Sequence, residues 1–313
     1  MPASPLPDYL RLNRANGQAP HKPILLLAVL RAFDEGLIIE NRIRPEPELI
    51  NLFNGYWSAL VHDPRSQCRF YLPFFYLRNE RSGLWTLHTL SGFEHGLTRG
   101  KDIKSLGALL SFEAYATLRP DVFNRWRVAT HRAADRLLIM AKYFPGQPLP
   151  LELPDQLRDI EKQIVSDPPE VYVARQLQRL QSEEEEDQLL RSAAFKRKIP
   201  ELYGYQCAIT GLRVSTTRGP SLIDACHIVP WADSFDDTIS NGIALCPNMH
   251  RAFDRGLISI GSDYRVLVNK DLQEAESTHA IRPFEGKLLD LPKEAVHRPA
   301  PENLTRHRER WGF

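Results

Sequence analysis

The sequence predicts an α+β protein of two domains, the first mostly helical with short strands and the second built on strands followed by a helix. Three observations predict it. The chain's 313 residues exceed the usual size of one folding unit. Helix-period apolar runs fill the first half, interrupted by short aromatic segments. A proline-rich stretch then precedes a compact apolar block in which a few polar residues recur at fixed intervals.

From Pro20 to Ile38 the residues Ile24 to Leu27, Val29, Leu30 and Phe33 read as a buried helix, with Pro23 suited to its first turn and Gly36 to its end. A second helix is expected around Pro45 to Val61. Short aromatic strands are expected near Phe70 to Leu77 and Leu84 to Leu90, and a mostly helical stretch from Phe112 to Phe144. Pro145, Pro148, Pro150 and Pro154 mark a loop that closes the first domain, because proline lacks a donor and restricts its predecessor. The polar segment from Glu170 to Ile199 reads as a helical connector. The resulting division is 1–165, a connector at 166–199, and 200–313.

Composition is that of an ordinary globular protein, 42% hydrophobic and 25% charged, and no apolar run reaches bilayer length, so no membrane is expected. The opening Met1-Pro2-Ala3-Ser4-Pro5 lacks a secretion signal's basic and apolar regions, which predicts a cytoplasmic location. Four cysteines, Cys68, Cys207, Cys226 and Cys246, then argue against a disulfide framework, and the lack of a CxxC pair argues against a four-thiolate zinc. With 40 basic and 39 acidic residues the net charge is +1, so overall charge does not point to a polyanionic partner. Acidic residues gather instead at Glu183 to Asp187, and basic ones at Arg125 to Arg136 and Lys196 to Lys198.

The informative block runs from Tyr203 to Ile260. It contains Tyr205-Gln206-Cys207-Ala208-Ile209-Thr210-Gly211, then Asp224-Ala225-Cys226-His227-Ile228-Val229-Pro230, then Asn241-Gly242-Ile243-Ala244-Leu245-Cys246, and finally His250 and Phe253-Asp254-Arg255-Gly256. A strand bearing one histidine is followed by a loop, an asparagine, and a helix bearing a second histidine. A lone histidine in an apolar strand is ordinarily a packed core residue. The register of His227 with Asn241, fourteen positions on, and of His250, nine further, sets this one apart.

The block resembles the ββα-metal fold of HNH endonucleases, and within them the restriction-type branch, over about the last third of the chain. The resemblance implies a metal-dependent nuclease that hydrolyses DNA phosphodiesters. Such hydrolysis needs an activated water, neutralisation of charge at phosphorus, and a stabilised leaving oxygen. His227 is then the general base, Asn241 the residue that orients the loop, and His250 a ligand of a divalent cation. Asp254 lies one turn after His250 on the same helix face and offers a carboxylate, or else anchors the next turn.

The chain departs from the family's usual acidic residue or histidine before the base, having Cys226 there. Asp224 points to the same side of the strand and is favoured as the ligand over Cys226. A hard oxygen ligand favours magnesium or manganese; a Cys226 thiolate would favour zinc or nickel. Cys207 and Cys246 read as buried small hydrophobes without a partner thiol, and Asn248 as either a helix cap or a ligand. A zinc-finger-like binding module lacks the paired ligands it would need here.

The expected partner is double-stranded DNA, cut by a homodimer if both strands are to be cleaved together. In the first domain, Ala19-Pro20-His21-Lys22-Pro23 with Tyr71-Leu72-Pro73-Phe74-Phe75-Tyr76-Leu77 resembles the sulfur-binding domain of phosphorothioate-dependent restriction endonucleases. That likeness implies an apolar cup of Tyr71, Pro73, Phe74 and Phe75 for a large, soft, weakly hydrated sulfur. His21, Lys22 and Arg78 would contact flanking phosphates. The alternative is that the aromatics form a core strand. Arg125, Arg127, His131, Arg132 and Arg136 fall at helical spacing and read either as a phosphate-contacting row or as a solvated face. The acidic run reads as a solvated face or linker, or as a DNA mimic shielding the nuclease. Rival functions are a nuclease reading base-modified or unmodified DNA, an indiscriminate toxin-like nuclease, and a catalytically silent DNA-binding regulator.

Overall fold

The computed structural model describes residues 6–14, 18–89, 92, 102–112, 114–179, 185–216, 221–277 and 279–313. It is a mixed helix and small-sheet architecture of two compact units. Unit 1 comprises Met1–Leu157 with Glu184–Leu190, and unit 2 comprises Arg158–Glu183 with Arg191–Phe313.

Unit 1 is organised around helix α1 (His21–Asp34), in which every residue from Ile24 to Leu30 is fully buried. A helix apolar all round must be covered all round, and α1 packs against α2 (Pro47–Leu60), α3 (Tyr71–Tyr76) and α6 (Ala129–Tyr143). Pro23 sits in the first turn of α1, and Gly36 adopts a φ of 73° just past its end.

One expectation needs correction here, and one, the mostly helical stretch from Phe112 to Phe144, holds with an addition. The Phe70 to Leu77 segment is helical, not a strand. Its less buried residues, Leu72 and Tyr76, are four apart, while the adjacent Phe74 and Phe75 are both buried, a pattern that alternation cannot produce. The Phe112 to Phe144 segment contains a strand before its helices. Strand β1 (Trp85–His88) pairs antiparallel with β2 (Tyr115–Leu118), Trp85 opposite Leu118. Between them lies α4 (Leu106–Ser111), and α5 (Pro120–Trp126) follows. Leu90, the expected end of the first strand, lies outside the described residues.

Helices α7 (Gln156–Ser166), α8 (Pro169–Arg179) and α9 (Glu185–Leu202) span the segment read as a connector. Within the acidic run, Glu183 and Glu184 lie outside the described residues. Glu185 and Glu186 are not simply solvated. Glu185 accepts the amide of Gly107 at 3.0 Å, in the first turn of α4, and Glu186, 4% exposed, accepts the amide of Phe70 at 3.2 Å, at the start of α3. Carboxylates suit these places because helix N-termini present unpaired donors and positive potential.

In unit 2, strands β3 (Asp224–His227) and β4 (Gly242–Leu245) form an antiparallel hairpin with His227 opposite Gly242. The connecting loop carries the short α10 (Trp231–Ser234), and α11 (Pro247–Asp254) follows, with Pro247 in its first turn. Helix α11 packs on both strands. Gly242 has a packing reason to be glycine: a Cβ there would overlap Ile199 and crowd Phe195, both on α9. A second hairpin, β5 (Ile258–Ile260) with β6 (Val266–Val268), and the C-terminal α12 (Pro301–Trp311) complete the unit. Among the described residues no helix is long and apolar enough to cross a membrane.

Candidate active site

The hairpin and α11 place the expected polar residues in two adjoining groups. In the first, His227 stands at the end of β3 with a half-buried imidazole. Its ring stacks on Phe195, with centroids 3.8 Å apart and planes 6° from parallel. Its Nε2 lies 2.8 Å from Oδ1 of Asp237. No described residue hydrogen-bonds its Nδ1. Asp237 is buried, and its Oδ2 accepts from Arg191 Nη1 at 2.6 Å and from the Tyr172 hydroxyl at 3.3 Å. Burial first, and the neighbouring Asp237 charge second, push the Tyr172 phenol well above its usual range. The Arg191 guanidinium also lies over the Trp231 ring, 4.1 Å from its centroid.

Asn241 fastens the loop between the strands. It is fully buried; its Oδ1 accepts the amide of Val229, and its Nδ2 donates to the carbonyls of Val229 and Asp236, each at 2.9 Å. Its own carbonyl takes the amide of Ile228. Burial raises the Asp236 carboxyl, while its hydrogen bonds to Thr238 act the other way.

In the second group, donor atoms of Cys226, His250 and Asp254 all lie within 4.8 Å of one another. His250 meets a carboxylate at each ring nitrogen: Asp224 Oδ2 is 3.2 Å from Nδ1, and Asp254 Oδ2 is 3.4 Å from Nε2. The Cys226 thiol, fully buried, points at Asp254 Oδ1 at 3.8 Å. Burial, reinforced by the Asp254 charge, pushes that thiol well above its ordinary range. A soft sulfur, an imidazole and a carboxylate converging in this way fit a divalent transition ion, so the chemistry of the donor set accommodates a metal.

Asp237, Arg191, Tyr172 and Phe195 are the members of the site that sequence reasoning missed. Cys207 and Cys246, read as lacking a partner thiol, are both approached by Thr210: its amide donates to Cys207 Sγ at 3.4 Å, and its hydroxyl lies 3.9 Å from Cys246 Sγ.

The residues expected to contact DNA through unit 1 lie mostly inside it. Tyr71 is 8% exposed, Phe74 and Phe75 still less, and Pro73 is buried with them. Phe74 packs on Phe70 and Trp85, and Arg78 lies over Phe75 at 3.8 Å. His21 bonds the carbonyl of Gln67 and packs against Trp57, and burial lowers its pKa. Lys22 pairs with Glu80. Arg125 pairs with the buried Asp135, and Arg132 and Arg136 both pair with Asp34. Arg127 and His131 are exposed.

None of the curated proteins matches the sequence. Among solved structures, the chain is similar to a modification dependent TagI restriction endonuclease, at 20% identity and a TM-score of 0.29, over 39% of this chain and 38% of that one. It thus spans well under two thirds of that neighbour's length. The HNH endonuclease family matches residues 207–261, the stretch that holds the His227, Asn241 and His250 geometry. The protein thus carries an HNH endonuclease domain in unit 2.

Proposed function

We propose that the protein is a restriction-type endonuclease that hydrolyses phosphodiester bonds of modified double-stranded DNA, with His227 as general base. The observation that carries this reading is a hairpin on which His227 immediately follows Cys226, a member of the Cys226, His250 and Asp254 cluster. The proposed base and a member of the proposed cation site are thereby consecutive residues of one strand. His227 takes a proton from the water whose oxygen attacks phosphorus, and the bond from phosphorus to the 3′ oxygen breaks. Asn241 holds the loop that carries Asp236 and Asp237. A cation held by Cys226, His250 and Asp254 would supply neutralisation of the phosphorane and of the leaving oxygen.

The two carboxylates beside His250 are proposed to have different tasks. A metal-binding histidine commonly gives its other ring N–H to a carboxylate. Asp254, which shares the cluster with Cys226, fits the ligand, and Asp224, at the opposite ring nitrogen, fits that outer partner. This exchanges the emphasis that the sequence placed on Asp224 and makes zinc, nickel or manganese the ions to try beside magnesium.

Unit 1 is the proposed reader of the DNA. A cleft there is lined by Arg11, Arg14, Arg81 and Lys142, none of which makes an ion pair with a described residue, whereas Lys22, Arg125, Arg132 and Arg136 are all paired. Unpaired cations on a concave face suit phosphate contacts. The phosphorothioate reading rests on the His21-Lys22-Pro23 and Tyr71 to Leu77 motifs. One experiment tests both levels: purified protein with each of the four metals is given plasmid carrying phosphorothioate linkages and matched plain plasmid. Nicking of the modified plasmid, lost in His227→Ala and on chelation, is expected. Equal cutting of both plasmids would remove the phosphorothioate claim, and no cutting by wild type under any metal would remove the nuclease assignment of His227.

A further inference from the structure

Asp237 spends its two oxygens differently. Oδ2 is shared by Arg191 and Tyr172, groups with no exposed chemistry of their own, while Oδ1 is given to Nε2 of His227 alone. The carboxylate is 2% exposed, and a buried charge, costly to desolvate, is stable only when fully partnered. Here the partners come from three separate parts of unit 2: α8, α9 and β3. The imidazole on Oδ1 is a quarter exposed, and its other nitrogen hydrogen-bonds to no described residue.

We propose that Asp237 is the positioning residue of the hydrolytic reaction. By accepting from Nε2–H it fixes the His227 tautomer that leaves the lone pair on Nδ1, the nitrogen without a described partner. Phe195 holds the ring plane at the same time. Arg191 and Tyr172 hold the carboxylate so that it cannot swing to water. In the hydrolytic step the water's proton moves to Nδ1, and the Asp237 carboxylate then faces an imidazolium, whose charge it stabilises without taking the proton itself. The segment ahead of the HNH block thus belongs to the catalytic machinery through Tyr172 and Arg191. This inference rests on His227 being the base.

The test uses full-length protein and Asp237→Asn, which keeps shape and volume but can present an N–H to Nε2 and so favour the tautomer with its proton on Nδ1. Single-turnover nicking of supercoiled plasmid in manganese is expected to slow by roughly 10²-fold or more, with DNA affinity unchanged. The second readout is the ¹⁵N spectrum of the His227 ring, assigned by its loss in His227→Ala and recorded in alkaline buffer. Wild type should carry its proton on Nε2, and the variant on Nδ1. A wild-type ring protonated on Nδ1 overturns the proposal even if the variant fails to fold. So does a variant that nicks at the wild-type rate. A wild-type protein that never nicks DNA sinks the reading of His227 as base, whereas the spectrum judges Asp237 on its own.

Discussion

Asn241 shows how one amide can hold an active-site loop. Three of its four side-chain hydrogen bonds satisfy both backbone groups of Val229 and the carbonyl of Asp236, and the fourth reaches the Ser234 hydroxyl. Truncation to alanine strips the Val229 amide and the Asp236 carbonyl of these bonds and leaves the Val229 carbonyl only the Ser234 hydroxyl at 3.4 Å, at a cost of roughly 3 kcal/mol. We expect Asn241→Ala to lower the urea midpoint accordingly with an unchanged slope, and Asn241→Asp to do no better, because a carboxylate cannot donate to the two carbonyls that Nδ2 now serves. Recovery of wild-type stability by the aspartate variant would show that shape alone matters there. The spacing of His227, Asn241 and His250 made this part of the site legible, since their intervals are local. Asp237 was not legible: an Asp-Asp pair in a loop ordinarily reads as solvated. Its burial depends on Arg191 and Tyr172, 46 and 65 positions upstream, a relation that spacing alone does not reveal.

At the scale of elements, sequence periodicity succeeded where an element's burial has one cause. The all-round burial of α1 and the amphipathic α2 were readable. The Tyr71 to Tyr76 helix was not, because a short aromatic run satisfies strand propensity and buried-helix packing alike. Strand β2 was hidden for the converse reason: its four residues sit between helical segments and are fixed by pairing with β1, about thirty positions earlier.

The attachment of α12 yields a prediction with a definite sign. His307 stacks on Phe253 at 3.6 Å, its Nε2–H donates to the Phe253 carbonyl, and its Nδ1 accepts from the Ser259 hydroxyl. Burial lowers its pKa to about 4 from 6.5, with Arg310 and Arg308 adding to the effect and the bond to Phe253 opposing it. Between those values the unfolded chain binds the proton and the folded one does not, so stability is present above pH 6.5 and is lost as pH falls toward about 4. The loss assignable to this residue is roughly 3 kcal/mol across that window. Denaturant titrations of wild type and His307→Gln measure it as the difference between their pH dependences, which cancels the carboxylates common to both. Parallel curves would show that the imidazole is free to charge in the fold.

For the whole molecule, the question is where the nuclease unit begins. An HNH match that starts at residue 207 invites a cut just before it, as did the sequence division at residue 200. The structure assigns the segment from Arg158 to Glu183, and the part of α9 from Arg191 onward, to the same unit as the hairpin. A fragment starting at residue 200 loses Phe195 from the face of His227, Ile199 from the space above Gly242, and both partners of Asp237 Oδ2. It would expose apolar hairpin surface and leave a buried carboxylate without its cation, a combination that costs several kcal/mol against a total stability of about 5 to 15. Residues 158–313 keep all of these. They also retain Glu185 to Leu190, of which Glu186 and Leu190 are buried in the full chain. We therefore expect the 158–313 fragment to unfold in one cooperative thermal transition and the 200–313 fragment to show none, as followed by circular dichroism. A 200–313 fragment that melts as sharply and as late as the longer one would mean that α8 and α9 merely lie against the nuclease and do not complete it.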